Sequence, residues 1–417
     1  MISQLKALAH MLLMSARALF RYLTGRLSIY PEFGAQTVDE DDVSTAKSLV
    51  NHPEIWDNEE PIVRFEKAFS EWNGSLGARS FMGGRVALSA AIYALQLKPG
   101  DEVVVPGYTC VVVPNAFKFA GITVKYCDIE LDTFGPDHDS LKRAISSKTR
   151  AVLVHHLYGL VARDLEKILD LARSKGLYVI EDCAHSTGAS LHGRKVGNFG
   201  DVVFYSTEQS KVFSTFNGGI AATNNPDILE RLAAYQNTAL YPSKDRTGNL
   251  LRNFIYCYQL QKSSWRCLTS ESIRFRHNKQ MLQSTTDDEM KGLMPIHYGQ
   301  KMPPPLAELA LMQLKKVDVY NQRRRAGAEY WMKLCHEKGY TLPMVVTGSV
   351  PVFLRYPVMV PIGKKRDVEW CIREFGVRQG LWFLGELHPI AQPMAECPNA
   401  RKAVERCINL PTLGISP

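Results

Sequence analysis

Phe204-Tyr-Ser-Thr-Glu-Gln-Ser-Lys211-Val-Phe-Ser-Thr-Phe-Asn-Gly218-Gly219 places a lysine in apolar and aromatic surroundings, five positions after Ser206 and shortly before a glycine pair. Such surroundings strip hydration from an ammonium and favour the neutral, nucleophilic amine that a Schiff base requires. Upstream, Val179-Ile-Glu-Asp182-Cys-Ala-His185 is an apolar run that closes on two carboxylates. Together the two stretches predict a pyridoxal-phosphate site. Lys211 would carry the aldehyde carbon, and a buried acid would keep the pyridine nitrogen protonated.

Around this pair, apolar runs alternate with amphipathic ones from residue 80 to 225. Strands are expected at 102–105, 122–126, 151–155, 177–181, 201–205 and 219–223, and helices at 86–97, 112–119 and 165–174. Continuously apolar strands alternating with helices predict a parallel sheet covered on both faces. Ligands of such sheets sit beyond the carboxyl ends of the strands, where Asp182, Ser206 and Lys211 fall. Residues 233–300 lose the alternation and are rich in aromatic and basic side chains. A helix is expected from about Leu306 to Tyr330, followed by small α+β elements around 353–360 and 367–375. The expected organisation is a basic amphipathic helix at 1–30, a large cofactor-binding α/β domain at 31–310 with an aromatic and basic insert at 235–290, and a smaller C-terminal α+β domain at 311–417.

With 417 residues, 45% hydrophobic and 22% charged, the chain reads as globular. Nine cysteines lack paired spacing, so reduced thiols in a cytoplasmic setting are expected, with neither a disulfide framework nor a zinc site. The net charge of +8 comes without any nucleic-acid-binding pattern, so no nucleic-acid partner is expected. Lys6, Arg17, Arg21 and Arg26 are the fixed charges before Glu32, set among Leu5, Leu8, Leu12, Leu13, Leu19, Phe20 and Leu23. Arg17 and Arg21 interrupt the apolar run, which argues against a spanning helix. A helix lying on the inner face of an anionic membrane and a helix packed on protein both remain open, with a transit peptide as a third reading.

Gly83-Gly84-Arg85 opens the first helix of the alternating region, where backbone amides and the helix dipole suit a phosphate. With Gly100-Asp-Glu-Val-Val-Val-Pro106, Tyr108-Thr109, Asp128, His156-Leu-Tyr-Gly159, Glu181-Asp182-Cys-Ala-His185, Gly188, Ser206, Lys211, Gly218-Gly219, Gln313-Leu314, His388-Pro389 and Leu410-Pro411, the chain resembles the DegT/DnrJ/EryC1/StrS family. That family is the sugar-aminotransferase branch of fold-type-I pyridoxal-phosphate enzymes. The resemblance covers residues 45–417 apart from 235–290. It implies a fold-type-I transferase acting as a homodimer, with pyridoxal 5′-phosphate as cofactor, an amino donor such as glutamate, and a ketone on a nucleotide-linked keto-sugar or related intermediate as acceptor.

The resemblance also assigns roles. Lys211 would hold the cofactor and shuttle a proton, Asp182 would pair with the pyridinium nitrogen, and His185 would lie near the phenolic oxygen. Ser206 and the Gly84-Arg85 backbone would bind the phosphate. The plainer alternatives are a surface lysine, a helix N-cap for Asp182 and a satisfied core histidine for His185. Three positions depart from the family pattern. Arg85 replaces a threonine and would either clamp the phosphate or face a partner subunit, and Cys110 replaces an aromatic that stacks on the cofactor ring, so it would be a ring contact at best. Gln300 stands near a usual asparagine. A dehydrating subgroup has histidine in place of the lysine, so Lys211 implies amine transfer. Two other readings stay open: a membrane-associated enzyme using residues 1–28 and 235–290 to reach a lipid-linked ketone, and a cofactor-binding regulator without turnover.

Overall fold

The computed structural model describes residues 37–262 and 285–415, with isolated positions before them (Ala9, Leu12, Leu13, Ala16, Leu19 and Phe20). The helix expected over 1–30 otherwise lies outside the described residues, as does 263–284 of the insert.

Helices α1 (Glu40–Asn51) and α2 (Glu60–Asn73) lead into β1 (Gly77–Phe81) and α3 (Gly84–Ala94). There follow β2 (Glu102–Pro106), α4 (Val112–Phe119), β3 (Thr123–Cys127), β4 (Thr149–His155), α5 (Leu165–Lys175), β5 (Tyr178–Asp182), β6 (Val202–Ser206) and β7 (Gly219–Thr223). These strands form one seven-stranded sheet in the order β1-β7-β6-β5-β4-β2-β3. The register of β2 to β6 is parallel throughout, and β7 runs antiparallel to both β6 and β1. The reversal follows from chain length. Residues 207–218 turn straight back from β6 to β7, and without a crossover helix two neighbouring strands can only be antiparallel. That turn carries Lys211.

Successive side chains of the strands enter opposite cores. Val103, Val105, Ala151, Leu153 and Phe204 pack with α3 and α4 on one face, whereas Val104, Val152, Val154, Val203 and Tyr205 pack with α1 and α2 on the other. Each such aliphatic side chain contributes about 1.5–3 kcal/mol on burial, so the strand ends are held rigidly and the loops beyond them start from fixed points.

The end of α6 (Pro226–Thr238) and all of α7 (Lys244–Lys262) fall in the 233–300 region. The single helix expected over 306–330 is two, α8 (Pro304–Leu314) and α9 (Val317–Glu337). They break at Lys315-Lys316, where Lys316 Nζ is drawn to Asp41 (2.7 Å) and Asp42 (2.9 Å) of α1. Beyond them, β8 (Tyr356–Met359) pairs antiparallel with β9 (Cys407–Leu410), flanked by α10 (Val368–Phe375) and α11 (Pro398–Arg406). Their core, with Trp331, Tyr356, Phe375 and Leu410, takes in Tyr108, Phe134 and Tyr158 from the sheet unit. Leu387–His388 pairs in parallel with Thr109–Cys110, which stitches the C-terminal elements to the rim of the sheet.

Candidate active site

The sheet changes winding direction between β2 and β4, and a cavity opens beyond the carboxyl ends of the strands there. It holds about 750 Å³ of space, open solvent at its mouth included. All seven residues singled out in the sequence line it: Gly84, Arg85, Cys110, Asp182, His185, Ser206 and Lys211. Thr109, His155, His156, Glu208, Asn217, Thr285 and Phe383 are also on its wall.

Lys211 hangs from a turn zipped at its neck. Thr207 N–H donates to Gly218 O (2.9 Å), Thr215 N–H to Thr207 O (3.0 Å), and the two threonine hydroxyls meet at 2.6 Å. Val212 and Phe213 are buried beside it, which fixes the lysine stem. The glycine pair serves contact rather than flexibility. A Cβ on Gly218 would lie 2.3 Å from Thr207 Oγ1, and one on Gly219 would lie 2.3 Å from the carbonyl of Gly83. Only glycine lets β7 lie against the Gly83-Gly84 turn.

Lys211 Nζ is 3.0 Å from His185 Nε2 and 5.1 Å from the centre of the Trp382 ring. His185 Nδ1 accepts from the Tyr158 backbone N–H (3.3 Å), which turns Nε2 toward Lys211 Nζ. Burial, and next the Lys211 charge, hold His185 well below the usual histidine range, which keeps the ring neutral. Trp382 stacks on it at 4.8 Å.

Asp182 ends β5. It accepts from the Ala184 N–H at Oδ1 (2.9 Å), and Oδ2 takes no hydrogen bond from the described residues. Burial raises its carboxyl to about 6, against the lowering effect of that amide and of Lys211. Behind it, Glu181 accepts from the amides of Gly197, Phe199 and Gly200 and from His156 Nε2. Burial would raise Glu181, but these hydrogen bonds outweigh it and hold the carboxyl below its ordinary value. The preceding residue of the strand is therefore locked, and Asp182 with it.

Gly83 starts α3 without a side-chain cap, and Ser206 lies against Gly84, where an added Cβ would meet the serine Cβ at 3.1 Å. Ser206 Oγ accepts from the Glu208 N–H (3.3 Å), which leaves its own proton to donate. The Arg85 guanidinium pairs with buried Glu289 and donates to Thr285 Oγ1 (3.4 Å). Cys110 sits in the wall with its thiol pushed up by burial. Gln300 does not line the cavity; its side chain receives Arg246 instead.

Sequence reading missed Trp382, Phe383, Asn217 and His155. Trp382 and Phe383 come from the C-terminal elements and are set by backbone contacts. Tyr158 Oη–H donates to Trp382 O (2.5 Å), and Phe383 N–H donates to Tyr108 Oη (3.0 Å). Only the tyrosines of Tyr108-Thr109 and His156-Leu-Tyr-Gly159 hinted at such partners.

A lysine-bearing turn, a strand-end aspartate and a glycine-led helix start around one cavity of a mainly parallel sheet define the fold of the pyridoxal-phosphate transferases. The model of the DegT/DnrJ/EryC1/StrS aminotransferase family matches residues 36–414, and the chain belongs to that family. The chain is similar to GDP-perosamine synthase of Escherichia coli O157:H7, at 36% identity over 179 residues, 43% of this chain and 49% of that protein. The match thus spans about half the length of the curated perosamine synthases it aligns with. It is also 29% identical to the dTDP-4-dehydro-2,3,6-trideoxy-D-glucose 4-aminotransferase of Saccharopolyspora spinosa, over 79% of this chain and 77% of that one. The solved aminotransferase from Psychrobacter cryohalolentis shares the fold, with a TM-score of 0.69 at 23% identity over 90% of this chain and 92% of that one.

The cofactor of this family is pyridoxal 5′-phosphate, and the residues present fit it. The second oxygen of Asp182 is open to a cationic ring nitrogen, and Lys211 Nζ is within the same cavity. Ser206 and the uncapped start of α3 suit a phosphate.

Proposed function

We propose that this chain is a pyridoxal 5′-phosphate-dependent aminotransferase acting as a homodimer. It takes the amino group of an amino acid, glutamate, and delivers it to the ketone of a nucleotide-linked keto-sugar or a related biosynthetic intermediate. The convergence of Lys211 Nζ, the Asp182 carboxylate and the start of α3 on one cavity carries this reading. The names of the perosamine synthases and of the dTDP-sugar 4-aminotransferase support the acceptor class. Lysine rather than histidine at 211 supports amine transfer over dehydration.

When bound, the cofactor supplies an electron sink for the carbon that loses its proton. Lys211 Nζ would hold it and would carry that proton. Asp182, ionised above about pH 6, offers its carboxylate to the ring nitrogen. His185 Nε2, 3.0 Å from Lys211 Nζ, holds the lysine head in place. Ser206 Oγ and the Gly84-Arg85 backbone hold the phosphate, while Arg85's side chain anchors the 285–289 segment through Glu289. Phe383 gives the cavity an apolar wall that limits water.

No described helix is long and apolar enough to cross a membrane. None of the eight described cysteines forms a disulfide with another described cysteine, which suits a reducing cytoplasm. The test is spectroscopic. Glutamate should shift the visible band of the purified holoenzyme, and a keto-sugar acceptor should restore it. A band that no amino acid shifts would mean binding without turnover.

A further inference from the structure

Beside the cofactor cavity lies a second one of about 810 Å³ counted to its mouth, and the two share Gly83, Arg85 and Asn217. Its other walls are Arg246, near the start of α7, and the 286–298 segment. Arg246, Thr286, Asp288 and Glu289 all belong to the 235–290 stretch, where the family resemblance lapses.

Charge in this cavity is unevenly balanced. Arg85 and Glu289 pair with each other and cancel. Arg246 is half-buried, and its NH1 donates to the neutral Gln300 side chain at 2.7 Å. Among the described residues no carboxylate pairs with it. Asp288 also faces the cavity but is exposed, so solvent and salt screen it. A guanidinium withdrawn from water with only an amide partner leaves donors and net positive charge for an oxyanion. Asn217 adds polar capacity on the shared wall, and Met82, Val86 and Pro295 supply apolar surface around it.

We propose that Arg246 and this second cavity form a subsite for an oxyanion, the phosphoryl or carboxylate group carried by the keto acceptor. The subsite rests on the aminotransferase reading for naming the acceptor as its ligand. Its position gives Arg246 and the 286–289 end of the insert a role beside the reaction site: the anion is held through Arg246 while the ketone reaches toward Lys211.

The test uses holoenzyme at constant ionic strength, with Arg246→Gln and Arg246→Lys. Arg246→Gln should raise the KM for the acceptor by about 10–100-fold, the range for losing a charge-assisted hydrogen bond. The rate of the donor half-reaction should stay within about twofold, and Arg246→Lys should recover part of the loss. Inorganic pyrophosphate and succinate serve as probes. The one matching the acceptor's own anion should compete with acceptor and raise the melting temperature of the wild type, and Arg246→Gln should abolish both effects. Equal losses in both half-reactions, an unchanged acceptor KM, or failure of both probes to compete would overturn the subsite. A wild type inert toward every amino donor would instead sink the aminotransferase reading, and the thermal shift by pyrophosphate or succinate would still decide whether Arg246 binds an oxyanion.

Discussion

Asp182 illustrates how one carboxyl serves two ends. Its pKa is raised from the ordinary 3.8 to about 6 by burial, so the folded state holds its proton more tightly than the unfolded chain. The stability this confers is present below pH 3.8 and is lost as pH rises through about 6. Without cofactor, Asp182→Asn should therefore gain about 1–2 kcal/mol relative to wild type at pH 7.5 compared with pH 4.5, allowing for partial exposure. Denaturant unfolding at the two pH values measures it, and an equal difference at both would contradict the assignment. The same variant should lose about a hundredfold or more in kcat/KM, because a neutral amide cannot hold a protonated ring nitrogen. Asp182 and Lys211 were legible in the sequence because each stands at or just after the end of an apolar strand that a parallel sheet must bury. Trp382 was not. It reaches His185 only through long-range contacts with Tyr108, Tyr158 and Asn409, which no local pattern encodes.

At the scale of elements, the site depends on how closely β7 approaches the start of α3. A Cβ on Gly219 would sit 2.3 Å from Gly83 backbone atoms and 2.4 Å from the Gly84 nitrogen. Gly219→Ala must push the helix start away from Ser206. We expect a loss of about 1–3 kcal/mol in stability, read as a lowered melting temperature, together with weakened cofactor binding in a fluorescence titration. Unchanged affinity would show that the Gly83-Gly84 amides do not hold the phosphate. Most of the strands were legible from their continuous apolar runs, and α4 matches the expected span. The direction of β7 was not, because a five-residue apolar strand reads the same in either orientation, and only the short turn after β6 decides it. The break between α8 and α9 was hidden for a related reason: Lys315-Lys316 carries no proline or glycine, and the pull comes from acids on α1, 274 and 275 positions away.

At the scale of the whole molecule, Leu293, Met294 and Ile296 form one exposed apolar run, with Ile296 at 93%, in the segment that closes the second cavity. Apolar surface gathered there suits the partner chain of a homodimer. Light scattering should give twice the 46.9 kDa chain mass, and Leu293→Glu with Ile296→Glu should halve it and abolish turnover. A wild type that is active as a single chain would refute the dimer. The family was legible in the order of motifs from Gly100 to Pro411, whereas the insert and its Arg246 were not, since aromatic and basic composition alone specifies no pocket. The central claim is that Lys211 holds the cofactor, and borohydride reduction of the holoenzyme followed by peptide mass mapping tests it most directly. The account predicts the cofactor's added mass on the peptide containing Lys211 and no labelled lysine in Lys211→Ala. The mass on another lysine, or on none, would contradict it.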